Sequence, residues 1–274
     1  MTKKPRIKPK IEKVERQIEN IDVKPKMKKR WLKRILYVFM ILIFFGVGLG
    51  LMFHQTITNN IVDGYTQEYV DNTTPEEMRT NEDADVSFDP SNVGSLTSAD
   101  VASEIAAGFE SGNNHYTDLP VIGAIAIPDL GLNLPVIKGL DNASLAVGAG
   151  TMKDGQKMGK GNYALASHSL FYGWGYETYL FSPLHRSQVG QTIYTRDAEN
   201  IYVYKTTKVF VVNPEDGWVS HDSEGDGIIT LVTCTDTYAT QRLIVRGELE
   251  RQFPISEAWP ELEAYFGSNW TRWW

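Results

Sequence analysis

This chain has almost no cysteine: Cys234 is the only one in 274 residues. An intramolecular disulfide is therefore excluded. No internal repeat is present, so the chain is not read as a repeat architecture. Formal charge is missing altogether from Ile35 to Phe53, and no A-x-A-like cleavage site follows that run. As a helix these nineteen residues span roughly 28 Å, close to the hydrocarbon thickness of a bilayer. The run is longer than the apolar core of a signal peptide, so an uncleaved signal-anchor is expected rather than a removed leader.

What is present is strongly asymmetric. Residues 1–34 hold fourteen Lys/Arg against Glu12, Glu15, Glu19 and Asp22, whereas the remainder holds 13 basic against 30 acidic residues. The positive-inside rule keeps the basic tail in the cytoplasm and exports the chain beyond His54. Attraction to anionic inner-leaflet lipid accounts for the tail more simply than nucleic acid, which the acidic outer part repels. Trp31 and Tyr37 fit the inner interface. Gly46 and Gly50 form a GxxxG pair compatible with self-association, although glycine-rich spans carry the pattern by chance.

The organisation follows in five parts: a cytoplasmic tail (1–34), a membrane span (35–53), an acidic tether (54–95), a catalytic domain (96–250) and a Trp-rich extension (251–274). A short helix is expected from about Ser98 to Ala107. From about Pro120 to Glu250, short apolar runs alternate with Gly, Pro, Asn and Asp. The runs are Gly123–Ile127, Leu134–Ile137, Tyr163–Ala166, Thr192–Thr195, Ile201–Tyr204, Lys208–Val212, Ile228–Cys234 and Leu243–Leu249. About eight strands at this spacing predict an all-β barrel or sandwich with short helices. In the extension, Ser256 is a candidate helix cap with Pro260 in the first turn. Trp270, Trp273 and Trp274 end the chain, and docking on the domain is the favoured role for them.

Outside a membrane a lone thiol is a liability unless it is used, and the alternative is a buried small hydrophobe. A nucleophilic cysteine needs a partner for its proton, since an ordinary thiol is mostly protonated at neutral pH. His54 stands at the membrane edge, His115 in a polar segment, His221 in an acidic loop and His185 in a turn. His168 directly ends a strand, where a sheet presents side chains rigidly. Arg242 opens the strand after Cys234, so a short hairpin would set it opposite the thiol. A guanidinium there can donate to a developing oxyanion.

Thr230-Leu-Val-Thr-Cys-Thr-Asp followed by Arg242-Leu-Ile-Val-Arg-Gly-Glu-Leu resembles the catalytic signature of class A sortases, T-L-x-T-C. Ile122-Gly-Ala-Ile-Ala-Ile-Pro, Gly131-Leu-Asn-Leu-Pro-Val, Val147-Gly-Ala-Gly-Thr-Met, Gly161-Asn-Tyr-Ala-Leu-Ala-Ser-His and Phe181-Ser-Pro-Leu match as well. The resemblance covers about Val121 to Leu249. It implies a closed eight-stranded β-barrel with Cys234 as nucleophile, His168 as general acid/base and Arg242 as stabiliser of substrate and oxyanion. Thr233 matches a family position that contacts substrate near the reacting carbonyl. The implied partners are exported proteins carrying an L-P-x-T-G signal, cut between Thr and Gly, and an amine of lipid II. No cofactor is required. Calcium is an option in some members, with Glu215, Asp216, Asp222, Glu224 and Asp226 as the nearby acidic residues.

Two departures stand out: the aromatic segment between His168 and Phe181, and the tryptophan-rich tail. The competing readings are a pilin-polymerising sortase that uses a lysine acceptor, and a non-catalytic tethered β-domain.

Overall fold

The computed structural model describes residues 28–94, 119–172, 175–222 and 227–267. Two compact units result, Met1–Met52 and Phe53–Trp274. Helix α1 runs from Lys28 to Asn72, and its stretch Trp31–Phe53 is long and apolar enough to cross a membrane. Every side chain in that stretch is exposed. An apolar surface on all sides of a helix is stable only in a non-aqueous surround.

The second unit is built on a closed barrel of eight strands: β1 (Val121–Ile127), β2 (Leu132–Ile137), β3 (Ala149–Thr151), β4 (Asn162–Ala166), β5 (Thr192–Arg196), β6 (Asn200–Val212), β7 (Ile228–Cys234) and β8 (Arg242–Pro254). Around the barrel they stand in the order β1-β2-β3-β4-β7-β8-β6-β5, and β5 closes back on β1. Closure leaves no unpaired sheet edge. All pairs are antiparallel except β2–β3 and β4–β7.

The count of eight agrees with the pattern of apolar runs, but the assignment differs at two places. Ile201–Tyr204 and Lys208–Val212 are one long strand, β6, whose pairing with β8 is interrupted by register shifts at Val203/Tyr204 and Thr206/Lys208. Bulges of this kind let a strand bend without ending it. β3 was not expected, because three residues are too few for an apolar period to register.

Alternation in the strands separates two buried faces. In β1, Val121, Ile125 and Ile127 point into the barrel core, while Ala124 and Ala126 lie beneath Leu262 and Phe266 of the C-terminal extension. Gly123 is required there, since a Cβ would stand 2.2 Å from the Arg196 carbonyl oxygen. The extension forms helix α3 (Pro260–Ala264) after a 3₁₀ turn at Ile255–Glu257. Its cap is Trp259, not Ser256, and Trp259 stacks on Phe253 at 6.0 Å between ring centroids. Trp270, Trp273 and Trp274 lie outside the described residues, as does the expected helix at Ser98–Ala107.

Residues 54–95, expected as a tether, hold more structure than their polarity suggests. α1 continues through Asn72, and a capping box between Thr74 and Glu77 starts helix α2 (Pro75–Asn81). Met78 is buried, Asn81 donates to the Val121 carbonyl at 2.9 Å, and Thr66 donates to the Val147 carbonyl at 2.7 Å. A few apolar contacts and caps anchor this segment, which is why the acidic average concealed it.

Candidate active site

The parallel pairing of β4 with β7 aligns Ala166 with Val232. Just beyond it, the Ser167 amide donates to the Val232 carbonyl at 3.2 Å and Thr233 Oγ1 donates to the Ser167 carbonyl at 2.9 Å. His168 and Cys234 therefore emerge at the same end of the barrel. Cys234 and Arg242 are direct partners across β7 and β8. His168, Thr233, Cys234 and Arg242 all line one cavity of about 260 Å³. A larger cleft of about 450 Å³ around Glu82, Lys138 and Tyr202 contains no thiol, so volume does not identify the site.

The hairpin that joins the thiol to the arginine is organised by Asp236. Its carboxylate accepts from the amides of Tyr238 (2.8 Å) and Thr240 (3.3 Å) and from the hydroxyls of Thr235 and Thr240. These bonds hold its carboxyl below the usual range, the Thr240 hydroxyl contributing most. Ala239 is held at φ 53°, an uncommon conformation for a residue with a Cβ. Its carbonyl accepts from Arg242 Nη1 at 2.8 Å. Among the described residues no carboxylate forms an ion pair with Arg242. The guanidinium is thus aimed by backbone while its charge stays available.

Burial governs the two titrating partners. Desolvation pushes the Cys234 thiol up, against the opposing pull of Arg242. Burial alone lowers His168 from 6.5 to about 4, and its Nε2 has no hydrogen-bond partner. Burial thus favours the neutral form of each group. Charge separation between them is favoured only when something else in the cavity stabilises it.

The cavity floor is apolar, formed by Leu140, Leu145, Ala166 and Val232, with Val93 from the segment before the barrel packed on it. One wall is the β6–β7 loop, pinned by a buried polar hub. Asn162 Nδ2 donates to the carbonyls of Val219 (2.8 Å) and His221 (3.0 Å), and its Oδ1 accepts from Thr230 (2.7 Å). Arg246 adds bonds to the Val219 carbonyl and to Thr230 Oγ1, and it lies over the rings of Phe210 and Trp218.

A thiol, a half-buried imidazole and a guanidinium held by backbone carbonyls stand at adjoining strand ends of a closed barrel, as the sequence signature has them. A Sortase domain model matches residues 125–250. Sortase A of Streptococcus agalactiae is 41% identical over 231 residues, 84% of this chain and 87% of the relative. Sortase A of Listeria monocytogenes is 34% identical over 226 residues, 81% and 95% of the two chains. The solved Listeria monocytogenes sortase A superposes with a TM-score of 0.49 at 39% identity, covering 54% of this chain and 98% of that one.

The chain belongs to the sortase family.

In this sortase a second histidine, His185, stands beside the segment that follows His168 without lining the cavity. His185 was placed in a turn, and its Nε2 lies 3.0 Å from Ser169 Oγ, in the residue that follows His168. The signal was the spacing of Phe181-Ser-Pro-Leu-His: a short turn with a buried Leu184 faces the segment after His168. The other histidines are placed elsewhere. The structure of His115 lies outside the described residues, and His221 lends its carbonyl to the hub. In the aromatic segment, Phe171 packs edge-on against His185, Tyr172 is exposed, and Tyr179 and Phe181 are buried.

Among the described residues, the acidic side chains considered for calcium do not converge. Asp216 accepts from the Asn213 amide and Trp218 Nε1. Asp222 pairs with Lys153 at 2.5 Å and accepts from the Asn162 amide. Glu224 and Asp226 lie outside the described residues, and among the described residues no three acidic, histidine or cysteine side chains cluster. The described residues do not fit a calcium site.

Proposed function

We propose that this sortase is a class A-type, membrane-anchored cysteine transpeptidase that cuts an L-P-x-T-G signal between Thr and Gly and passes the protein to an amine of lipid II. The observation that carries the reading is the Cys234–Arg242 pairing beside the orphaned His168 Nε2 on one apolar-floored cavity. Cys234 Sγ attacks the threonine carbonyl carbon as His168 takes the thiol proton. Arg242 donates to the oxyanion and to substrate backbone. His168 returns the proton to the departing glycine amine, leaving a thioester at Cys234. The incoming amine attacks the thioester, loses a proton to His168, and expels the thiolate, which is reprotonated. The thioester preserves the free energy of the amide, so no nucleotide is consumed. The apolar floor favours amine over water by limiting hydration of the acyl-enzyme.

Thr233 is 2% exposed and its hydroxyl already donates to the Ser167 carbonyl, so its methyl side is what substrate meets. The charge asymmetry supports an orientation with residues 1–34 in the cytoplasm and the barrel outside. Mass spectrometry of the protein with a sorting-signal peptide and candidate amines tests the reading. A thioester at Cys234 that transfers to the amine is expected; cleavage that persists in Cys234→Ala refutes it.

A further inference from the structure

The segment from helix α2 to Gly94 is bonded to the barrel every few residues. Lys138 Nζ donates to the carbonyls of Glu82 (2.7 Å) and Ala84 (2.8 Å), and Leu140 N–H donates to the Ser87 carbonyl at 2.8 Å. Gly139 sits at φ 107° against this segment, and a Cβ there would stand 3.1 Å from Val86 Cβ. Asp89 caps a 3₁₀ turn at Pro90–Asn92 by accepting from Ser91 N–H at 2.9 Å, and Val93 N–H closes on the Pro90 carbonyl at 3.1 Å. Gly94 N–H then donates to Asn142 Oδ1 at 2.9 Å. Val93 is thereby held between anchors at Leu140 and Asn142.

This arm precedes residues 125–250, the part matched by the Sortase domain, yet Pro90, Val93 and Gly94 line the same cavity as His168, Cys234 and Arg242. Val93 packs on the apolar cluster that includes Leu140, Leu145, Ala166 and Val232. The cavity keeps about 260 Å³ with the arm in place, so Val93 bounds it rather than fills it. The strand ladder measures how far the cavity extends. Ala164 is level with Thr230, four residues before Cys234 on β7, and its carbonyl accepts from Met152 N–H at 3.0 Å. At about 3.3 Å per residue, Met152 therefore marks a level roughly 13 Å from the thiol. Met152 lines the cavity as well, and Gly139 N–H on Thr151 Oγ1 (2.8 Å) brings Leu140 and the arm to that end.

We infer that Val93 is a specificity-determining residue for the transfer reaction, its side chain forming an apolar wall against which the leucine of the sorting signal lies. Val93 takes this role on the L-P-x-T-G reading proposed above. With the threonine carbonyl at Cys234, an extended signal places its leucine three residues upstream, about 10 Å away. That distance falls toward the end of the cavity where Val93 and Met152 pack on one cluster with Leu140. A leucine entering there buries apolar surface against Val93, whereas an alanine at the same position is too short to do so. The wall therefore selects for size, and its loss affects binding of the longer side chain alone.

The test compares wild type and Val93→Ala in the full chain in detergent, with an L-P-E-T-G peptide as substrate and triglycine as amine. An A-P-E-T-G peptide is added as competitor, so that its Ki is read whether or not it is cut. For Val93→Ala, KM for L-P-E-T-G is expected to rise about 5-fold with kcat within about twofold, while Ki for A-P-E-T-G stays within about twofold. The ratio of KM to Ki on one preparation does not depend on the folded fraction, so a merely structural effect leaves it unmoved. An unchanged ratio overturns the inference. A lower KM for L-P-E-T-G also overturns it, because the arm would then be a plug and not a wall. Failure of the wild type to cleave L-P-E-T-G would instead remove the reading on which the wall rests, a separate result.

Discussion

At the scale of single residues the site sets a thiol and an imidazole, both favoured neutral by burial, beside a charged guanidinium. Among the described residues, His168→Ala removes the only imidazole lining the cavity, and Arg242→Ala its only guanidinium. Each is expected to lower kcat/KM for peptide cleavage by on the order of 10² or more while the barrel still melts cooperatively. Activity within a few-fold of wild type would cancel the role assigned to that residue. Burial of His168 also has a consequence for stability. Its value in the folded protein is about 4 against an ordinary 6.5. The unfolded chain therefore binds the extra proton between those limits. The contribution is fully present above about 6.5 and is lost as pH falls toward about 4. Tm measured from pH 7 to 4.5 should drop more steeply in wild type than in His168→Gln, and parallel curves would show that the ring is not buried neutral. Cys234, His168 and Arg242 were legible because each sits at a strand end within a dense motif. The contact of His185 with Ser169 Oγ was not, because it depends on how the turn at 182–186 folds back on the end of β4, which no side-chain pattern records.

At the scale of elements, the β6–β7 loop is a wall of the cavity held by buried polar bonds. Asn162→Ala would remove the bonds to the Val219 and His221 carbonyls and the acceptor of the Thr230 hydroxyl, while Arg246 still donates to Val219 and Thr230. A cost of roughly 2–4 kcal/mol follows from the unsatisfied groups. Chemical denaturation should report that loss together with a higher KM, since the wall loosens with the hub. Unchanged stability would mean that water replaces the amide without penalty. Helix α2 makes a different kind of contact. Met78 is 3% exposed, and Met78→Ala is expected to cost about 2–4 kcal/mol if α2 unfolds with the barrel. An effect below about 0.5 kcal/mol would make α2 an independently fraying element. The strands were readable from period-two apolar runs, but α2 was not. A seven-residue helix with one buried methionine and a capping box scarcely alters a polar average, so composition read it as tether.

At the scale of the whole molecule, the chain carries two oppositely charged parts on either side of an uncharged span. Residues 1–34 have an excess of ten positive charges, and the remainder has an excess of seventeen negative ones. That division sets the expected direction of insertion, because basic flanks are retained on the cytoplasmic side. The single cysteine makes the direction measurable. The chain has no other thiol, so a membrane-impermeant maleimide applied to intact cells marks it at Cys234 alone. Cys234 is only partly exposed and its thiol is pushed up by burial, so the reaction needs mildly alkaline buffer to populate thiolate. Under those conditions the intact-cell sample should reach the same labelling as a detergent-permeabilised one, and Cys234→Ser should take up none. Labelling only after permeabilisation would place the barrel in the cytoplasm and would separate the thiol from exported proteins. Both substrates proposed here reach the outer surface of the membrane, so the transfer reaction depends on that orientation as much as on the geometry at Cys234.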